Sequence, residues 1–260
     1  MPRFAANLGY LFTERPLIER FGAAAACGFT AVEGQFVYDL PAAAMRAEID
    51  RHKLTMLGIN TWRGREGEFG LAAVRGREKD FDALFRQALD YIVAMGGSAV
   101  HALAGMVEVN ERPAAERIFI SNIARAADLA ADKNVTVLIE PINPRDRPGY
   151  FLNRVEHAAD LIARIGRKNV RMQFDFYHAQ IVGGDLIRHF EAHLPVIGHV
   201  QIASVPDRHE PDEGEVNFPA IYQAIDQSGY RGCVACEYRP RGRTEDGLGW
   251  ARDFGISARK

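Results

Sequence analysis

The chain has 260 residues, 47% of them hydrophobic and 25% charged, a mixed globular composition that excludes disorder, collagen-like repeats and a coiled coil. With 32 Lys and Arg against 34 Asp and Glu the formal charge is −2 and no contiguous basic stripe exists, so a nucleic-acid partner has no electrostatic support and a small molecule is the expected one. Three cysteines, Cys27, Cys233 and Cys236, do not make a disulfide framework, and neither a signal peptide nor an apolar run of about 18 residues is present, so a cytoplasmic protein with no membrane partner is expected.

Apolar or β-branched runs alternate with helical stripes along the whole length, the pattern of βα units on a parallel sheet. Eight strands are predicted, at Arg3–Leu8, Thr30–Gly34, Leu54–Asn60, Ser98–Leu103, Val135–Glu140, Val170–Phe174, Val196–Ile202 and Cys233–Tyr238. The spacing predicts a helix over Arg77–Met95, with Phe81, Leu84, Phe85, Ala88, Leu89 and Ile92 on one face, and another over Arg154–Ile165, with Val155, Ala158, Ala159, Ile162 and Ile165 on one side. Gly28, Gly96, Gly166 and Gly229 stand where helix exits need a left-handed residue.

Eight units of about 32 residues suit an α/β fold of one domain over residues 1–260, a closed (β/α)8 TIM barrel with every strand C-terminus on one rim. An open doubly wound sheet is the rival. It calls for a glycine-rich turn after the first strand, but Gly9-Tyr10-Leu11-Phe12 follows it, and no nucleotide cofactor is expected. Gly64, Gly67, Gly70 and Gly76, in the long connection after the third strand, predict a mobile or irregular rim loop.

The last four strands end on residues an apolar barrel interior does not choose. They are Glu140, Asp175, His199 with Gln201, and Glu237. Three acids brought together repel and raise one another's pKa values unless a cation or shared protons compensate. Glu140, Asp175, Gln201 and Glu237 offer only oxygens, which suits Mg2+ or Mn2+ better than zinc or copper. A rim acid facing water is the plainer explanation for any one of them, and four on successive strand ends weigh against it.

The segments IEPIN (139–143), FDFYH (174–178), GHVQIA (198–203), GEVNF (214–218) and CEY (236–238), with the opening RFAANLGYLF, resemble the hydroxypyruvate isomerase family of the xylose isomerase-like barrel superfamily over almost the whole chain. The resemblance implies the four metal ligands just named, an acid–base pair of Glu140 and Glu237, and interconversion of hydroxypyruvate with tartronate semialdehyde through a cis-enediol. Close relatives in the family include 2-oxo-tetronate isomerases, so a four-carbon sugar acid is the sibling alternative. An abasic-site endonuclease needs a histidine-rich zinc cluster and a basic groove, and a silent sugar-acid sensor does not need both glutamates. His178, His199, Arg208 and Asn143 are the candidates for binding the hydroxy-oxo acid, with Arg63, Arg65 and Arg147 as further rim cations, Asp146 a looser match, and homo-oligomerisation left open.

Two motifs are set aside. His189-Phe-Glu-Ala-His193 has its glutamate at the third position, rotated about 100° from the one that follows the first histidine in a zinc protease helix. Cys233 and Cys236, three apart on a strand, point to opposite faces and cannot readily share a metal.

Overall fold

Side chains alternate faces along a strand, so each strand of a closed barrel sends every second residue inward. The computed structural model describes residues 1–258 and arranges β1 (Arg3–Asn7), β2 (Ala31–Glu33), β3 (Thr55–Met56), β4 (Gly58–Asn60), β5 (Ala99–His101), β6 (Thr136–Ile139), β7 (Val170–Asp175), β8 (Ile197–Ile202) and β9 (Cys233–Cys236) in one sheet, every pairing parallel. The sheet order is β3-β2-β1-β9-β8-β7-β6-β5-β4, so its two ends are consecutive in the chain and the barrel is nearly closed.

The third predicted strand, Leu54–Asn60, divides into β3 and β4. Staggered strands meet their two neighbours at different heights. Thr55 and Met56 pair with β2, whereas Gly58 to Asn60 pair with β5. Leu57 donates to Val32 O and Gly34 to Gly58 O, which carries the segment from one neighbour to the other. Eight βα units therefore underlie nine strands.

The helices are α1 (Leu17–Ala26), α2 (Ala42–Arg51), α3 (Glu78–Ala94), α4 (Arg112–Ala131), α5 (Val155–Ile165), α6 (Phe176–Val182), α7 (Leu186–His193) and α8 (Phe218–Gln227), and a 3-10 run over Thr244–Phe254 follows β9. α5 shows the logic of the outer layer. Val155, Ala158, Leu161, Ile162 and Ile165 are buried, each large one worth about 2 kcal/mol, and Gly166 ends the helix at φ 63°. Leu161 takes the inner position expected for Ala159, which is half-buried. Ordinary helical spacing from Val155 through Ala158 to Leu161 puts it there.

Inside the barrel, Ala5, Ala31 and Ala235 pack with Leu57 and Cys233. Two residues further along the same strands stand Asn7, Glu33 and Glu237. The small side chains below thus support a polar layer at the C-terminal mouth. The loop after β4 is irregular, as expected, but it is tied down as well: Ala72 and Ala73 donate to Leu103 O and Ala104 O at 3.2 and 2.7 Å. Gly70 is at φ +98°, and a Cβ there would meet Leu103 O at 2.3 Å.

Candidate active site

Strand register decides which polar groups meet. Asp175 pairs with Gln201 and Asn7 with Glu33, while Glu140 and Glu237 directly follow the last paired residues of β6 and β9. All six side chains are buried. Asp175 also caps α6, its Oδ1 accepting the Tyr177 N–H at 2.9 Å. That cap starts the helix at the strand end and brings His178 back over the acids, with Nε2 3.7 Å from Asp175 Oδ2 and 3.9 Å from Glu140 Oε1.

The tautomer of His178 follows from its neighbours. Asn143 Oδ1 accepts the Asp146 N–H at 2.8 Å, which turns Asn143 Nδ2 toward His178 Nδ1 at 2.7 Å. An acceptor Nδ1 assigns the ring proton to Nε2. Burial, with the Arg208 charge, lowers the His178 pKa well below the ordinary value and keeps the ring neutral.

Arg208 is buried among the acids. Its Nη2 donates to Glu237 Oε1 at 2.6 Å and lies 3.5 Å from Asp175 Oδ2, and Nη1 is 3.4 Å from Asp146 Oδ2. The Tyr10 and Tyr177 rings flank the guanidinium, with centroids at 4.8 and 4.7 Å. Burial opposes its charge, but Glu237, Tyr10 and Asp175 outweigh burial and raise its pKa above the usual guanidinium value.

The acids remain in excess. Burial pushes the Glu237 carboxyl up to about 8 and Asp175 up to about 6, with Arg208 pulling each back. Glu140 is raised well above the carboxylate range by burial and then by Glu237 and Asp175. Its nearest cationic candidate, His101 Nδ1 at 3.4 Å, is driven to about 3 by burial and by His199, and so is neutral. Glu140 Oε1, Gln201 Oε1 and both His101 nitrogens are buried without hydrogen-bond partners among the described residues. Ligand atoms of Glu140, Asp175 and His178 lie within 4.8 Å of one another, the one such group among the described residues.

A cavity of about 140 Å³ opens above these groups, lined by Tyr10, Gln35, Asn60, Phe69, Arg147, Arg239 and the site residues Glu140, His178, Arg208 and Glu237. Arg147 lies over the Phe69 ring at 4.3 Å. Among the described residues neither Arg147 nor Arg239 pairs with a carboxylate. Arg63 and Arg65 line an outer groove with Arg147 instead.

The sequence-predicted residues therefore converge, with two changes of position. Arg208 is engaged with Glu237, Asp175 and Asp146, which leaves Arg147 and Arg239 as the cavity-lining cations without a carboxylate partner among the described residues. His199 turns to Glu33 rather than to the cavity, its Nε2 donating to Glu33 Oε2 at 2.5 Å. Glu33, Asn7 and His101 were not anticipated. Their signal was present, because Ala5-Ala6-Asn7, Ala31-Val32-Glu33 and Ala99-Val100-His101 repeat the Ala235-Cys236-Glu237 pattern of a small inward residue followed by a polar one.

The model of a family described as xylose isomerase-like TIM barrel matches residues 21–254. A 2-oxo-tetronate isomerase of Cupriavidus necator is 46% identical over 257 residues, 98% of this chain and 99% of its own length. A hydroxypyruvate isomerase of Escherichia coli is 36% identical over 255 residues, 96% and 98% of the two chains. The crystal structure of a Brucella melitensis protein named as an AP endonuclease of family 2 superposes with a TM-score of 0.96 at 47% identity, covering 98% of this chain and 99% of that one.

Proposed function

We propose, from the premise that this chain belongs to the xylose isomerase-like TIM barrel family, that it exchanges a carbonyl at C2 with a hydroxyl at C3 in 2-oxo-tetronate. The chain is a sugar-acid isomerase, as its full-length relatives are. Hydroxypyruvate, the substrate expected from the sequence, undergoes the same exchange without the hydroxymethyl group on C3. The four-carbon acid is favoured by the 46% identical relative and by Gln35 and Asn60, which give the cavity wall polar groups for the extra hydroxyl. The 36% identical relative supports hydroxypyruvate as the second substrate.

Either exchange moves a proton between adjacent carbons through an enediol. Glu140 takes or returns that proton on one side of the substrate, through whichever oxygen of its buried carboxylate is not engaged as a cation ligand. Glu237 serves the other side, with Oε2 occupied by amide donors and Oε1 shared with Arg208 Nη2. The His178 Nε2–H donates to the substrate oxygen on which charge develops. Arg147 and Arg239, at the cavity mouth, receive the substrate carboxylate.

The site fits a hard divalent cation. Glu140 Oε1 and Gln201 Oε1 are buried acceptors without hydrogen-bond partners among the described residues, the Glu140 carboxyl is raised by burial and by the acids around it, and a His178 Nε2 that carries the ring proton is no ligand. Glu140, Asp175, Gln201 and Glu237 would hold Mg2+ or Mn2+, which when bound supplies electrostatic stabilisation of the developing enediolate charge.

The observation that carries this reading is the pair of buried carboxylates, Glu140 and Glu237, on non-adjacent strands around one small cavity at the C-terminal mouth. The experiment incubates the protein with 2-oxo-tetronate and, separately, hydroxypyruvate in D2O with Mg2+ or Mn2+, followed by proton NMR. Conversion with deuterium entering the transposed carbon is expected, faster for the four-carbon acid. No conversion of either acid refutes the reading. A second reading, abasic-site cleavage, is favoured by the name given to the 47% identical Brucella melitensis protein. A duplex with one abasic site is therefore included, and its cleavage with both acids untouched favours that activity.

A further inference from the structure

Glu33 lies outside the residues to which catalysis and cation binding were assigned, yet three donors converge on its buried carboxylate. His199 Nε2 donates to Oε2 at 2.5 Å, while Asn7 Nδ2 and Gln201 Nε2 both donate to Oε1 at 2.7 Å. The same two amides also donate to Glu237 Oε2, at 2.8 Å from Asn7 and 2.6 Å from Gln201. Two NH2 groups thus bridge two carboxylate oxygens. The Asn7 end is fixed independently, because Asn7 Oδ1 accepts the Gly9 N–H at 2.9 Å.

The consequence falls on Gln201. An amide can sit in either of two flips, with nitrogen and oxygen exchanged. Glu33, held as an acceptor by His199, presents Oε1 to one end of the amide, so only the flip that puts nitrogen there is tolerated, since the other sets an oxygen against a carboxylate oxygen. Gln201 Oε1 is thereby held away from the two acids, buried and with no hydrogen-bond partner. Glu237 alone is a poor guarantor of this flip, since it has catalytic work to do and Arg208 on its other oxygen.

We propose that Glu33 is a positioning residue for the cation site: anchored by His199, it fixes the flip of Gln201 so that Oε1 is presented as a ligand, and it holds Glu237 through the same amide bridge. The proposal rests on the reading of Gln201 as a ligand. Glu33 touches neither the substrate nor the cation and acts only through hydrogen-bond direction. Glu33→Gln removes the directionality while keeping the shape, because an amide at position 33 can present either atom to Gln201.

The experiment measures Mn2+ binding by isothermal titration calorimetry on the whole chain, with the fold of each variant checked by near-ultraviolet circular dichroism in EDTA. Glu33→Gln is expected to weaken Mn2+ binding at least tenfold. In a Gln201→Glu background, where an oxygen is offered in either orientation, the same substitution is expected to cost less than threefold. Equal losses in both backgrounds mean a general structural effect and overturn the proposal, as does a folded Glu33→Gln that binds within threefold of the parent. If Glu33→Gln does not fold, Glu33→Asp, which keeps the charge but withdraws it from the amides, is held to the same two criteria. Absence of Mn2+ binding by the unmodified chain refutes the cation site itself, and with it this proposal, whereas parental binding with an indifferent position 33 refutes only the latter.

Discussion

Glu237 makes a titration prediction that thermodynamics can read without any substrate. Its carboxyl, pushed up to about 8 by burial against an ordinary 4.5, keeps a proton in the native state that the unfolded chain has already released. Between those values the native state binds more protons than the unfolded one, so the stabilising contribution is present at low pH and is lost as pH rises through 8. From pH 7 to 8.5 the loss from this one group is about 1 kcal/mol. The window is chosen for what surrounds it: below it His101 and His178, with depressed native pKa values, pull in the opposite sense, and Asp175, near 6, has already lost its proton. Glu140, raised by burial and by the acids around it, and Cys233 and Cys236, raised by burial, pull in the same direction. Subtracting Glu237→Gln removes that part. The assay is urea unfolding by circular dichroism in EDTA at both pH values, for the parent and the variant. The parent should lose about 1 kcal/mol more than Glu237→Gln, and saturating Mn2+ should abolish the difference by holding the carboxylate ionised. A parent that falls no more steeply than the variant refutes the claim that Glu237 carries a native-state proton at neutral pH.

Glu140→Gln leaves the shape of the cavity but removes a proton acceptor, and turnover should fall by about 1,000-fold or more at unchanged near-ultraviolet dichroism; retention of a tenth of the parent rate excludes Glu140 as the base. Arg147→Gln and Arg239→Gln should each raise KM about tenfold with kcat changed less than threefold, because a carboxylate grip held equally in ground and transition states is uniform binding, and steady-state kinetics reporting a loss confined to kcat contradicts that role. Asn143→Asp replaces a donor with an acceptor opposite His178 Nδ1, so the ring proton should move to Nδ1 and kcat should drop about tenfold or more; nitrogen-15 histidine spectra that still place the proton on Nε2 remove the tautomer argument.

The alternation of apolar runs was enough to locate all eight βα units, because inward and outward positions on a buried parallel strand and the stripe of an outer helix are both written locally. What was not local was lost. The division of Leu54–Asn60 into two strands depends on the stagger between β2 and β5, which are brought together only when the barrel closes. Glu140, Asp175, Gln201 and Glu237 were legible because each interrupts an apolar strand end. Asn7, Glu33 and His101 interrupt their strands in the same way but earlier in the chain, and recognising Ala-x-polar as one repeated device would have found them. The partner of Arg208 was beyond reach from sequence. A loop residue at φ +60° finds Glu237, Asp175 and Asp146 through distances between segments 29 to 62 residues apart.

The near-neutral total conceals a local imbalance that ties stability to function. Glu33, Glu140, Asp175 and Glu237 crowd the mouth of the barrel, His101 and His178 are held neutral, and Arg208 is the one buried guanidinium among the described residues. Uncompensated buried charge costs several kcal/mol per group, so the folded chain without a cation must keep protons on some of these acids. A carboxyl that holds its proton near neutral pH is also what an isomerase needs, since one group must donate while its partner accepts. A site relieved by more arginines would be more stable and would lose both the protons and the orphaned oxygens. The apolar layer of Ala5, Ala31 and Ala235 beneath it and the helix stripes outside carry the stability that this mouth gives up, which is why the acids can stay in excess.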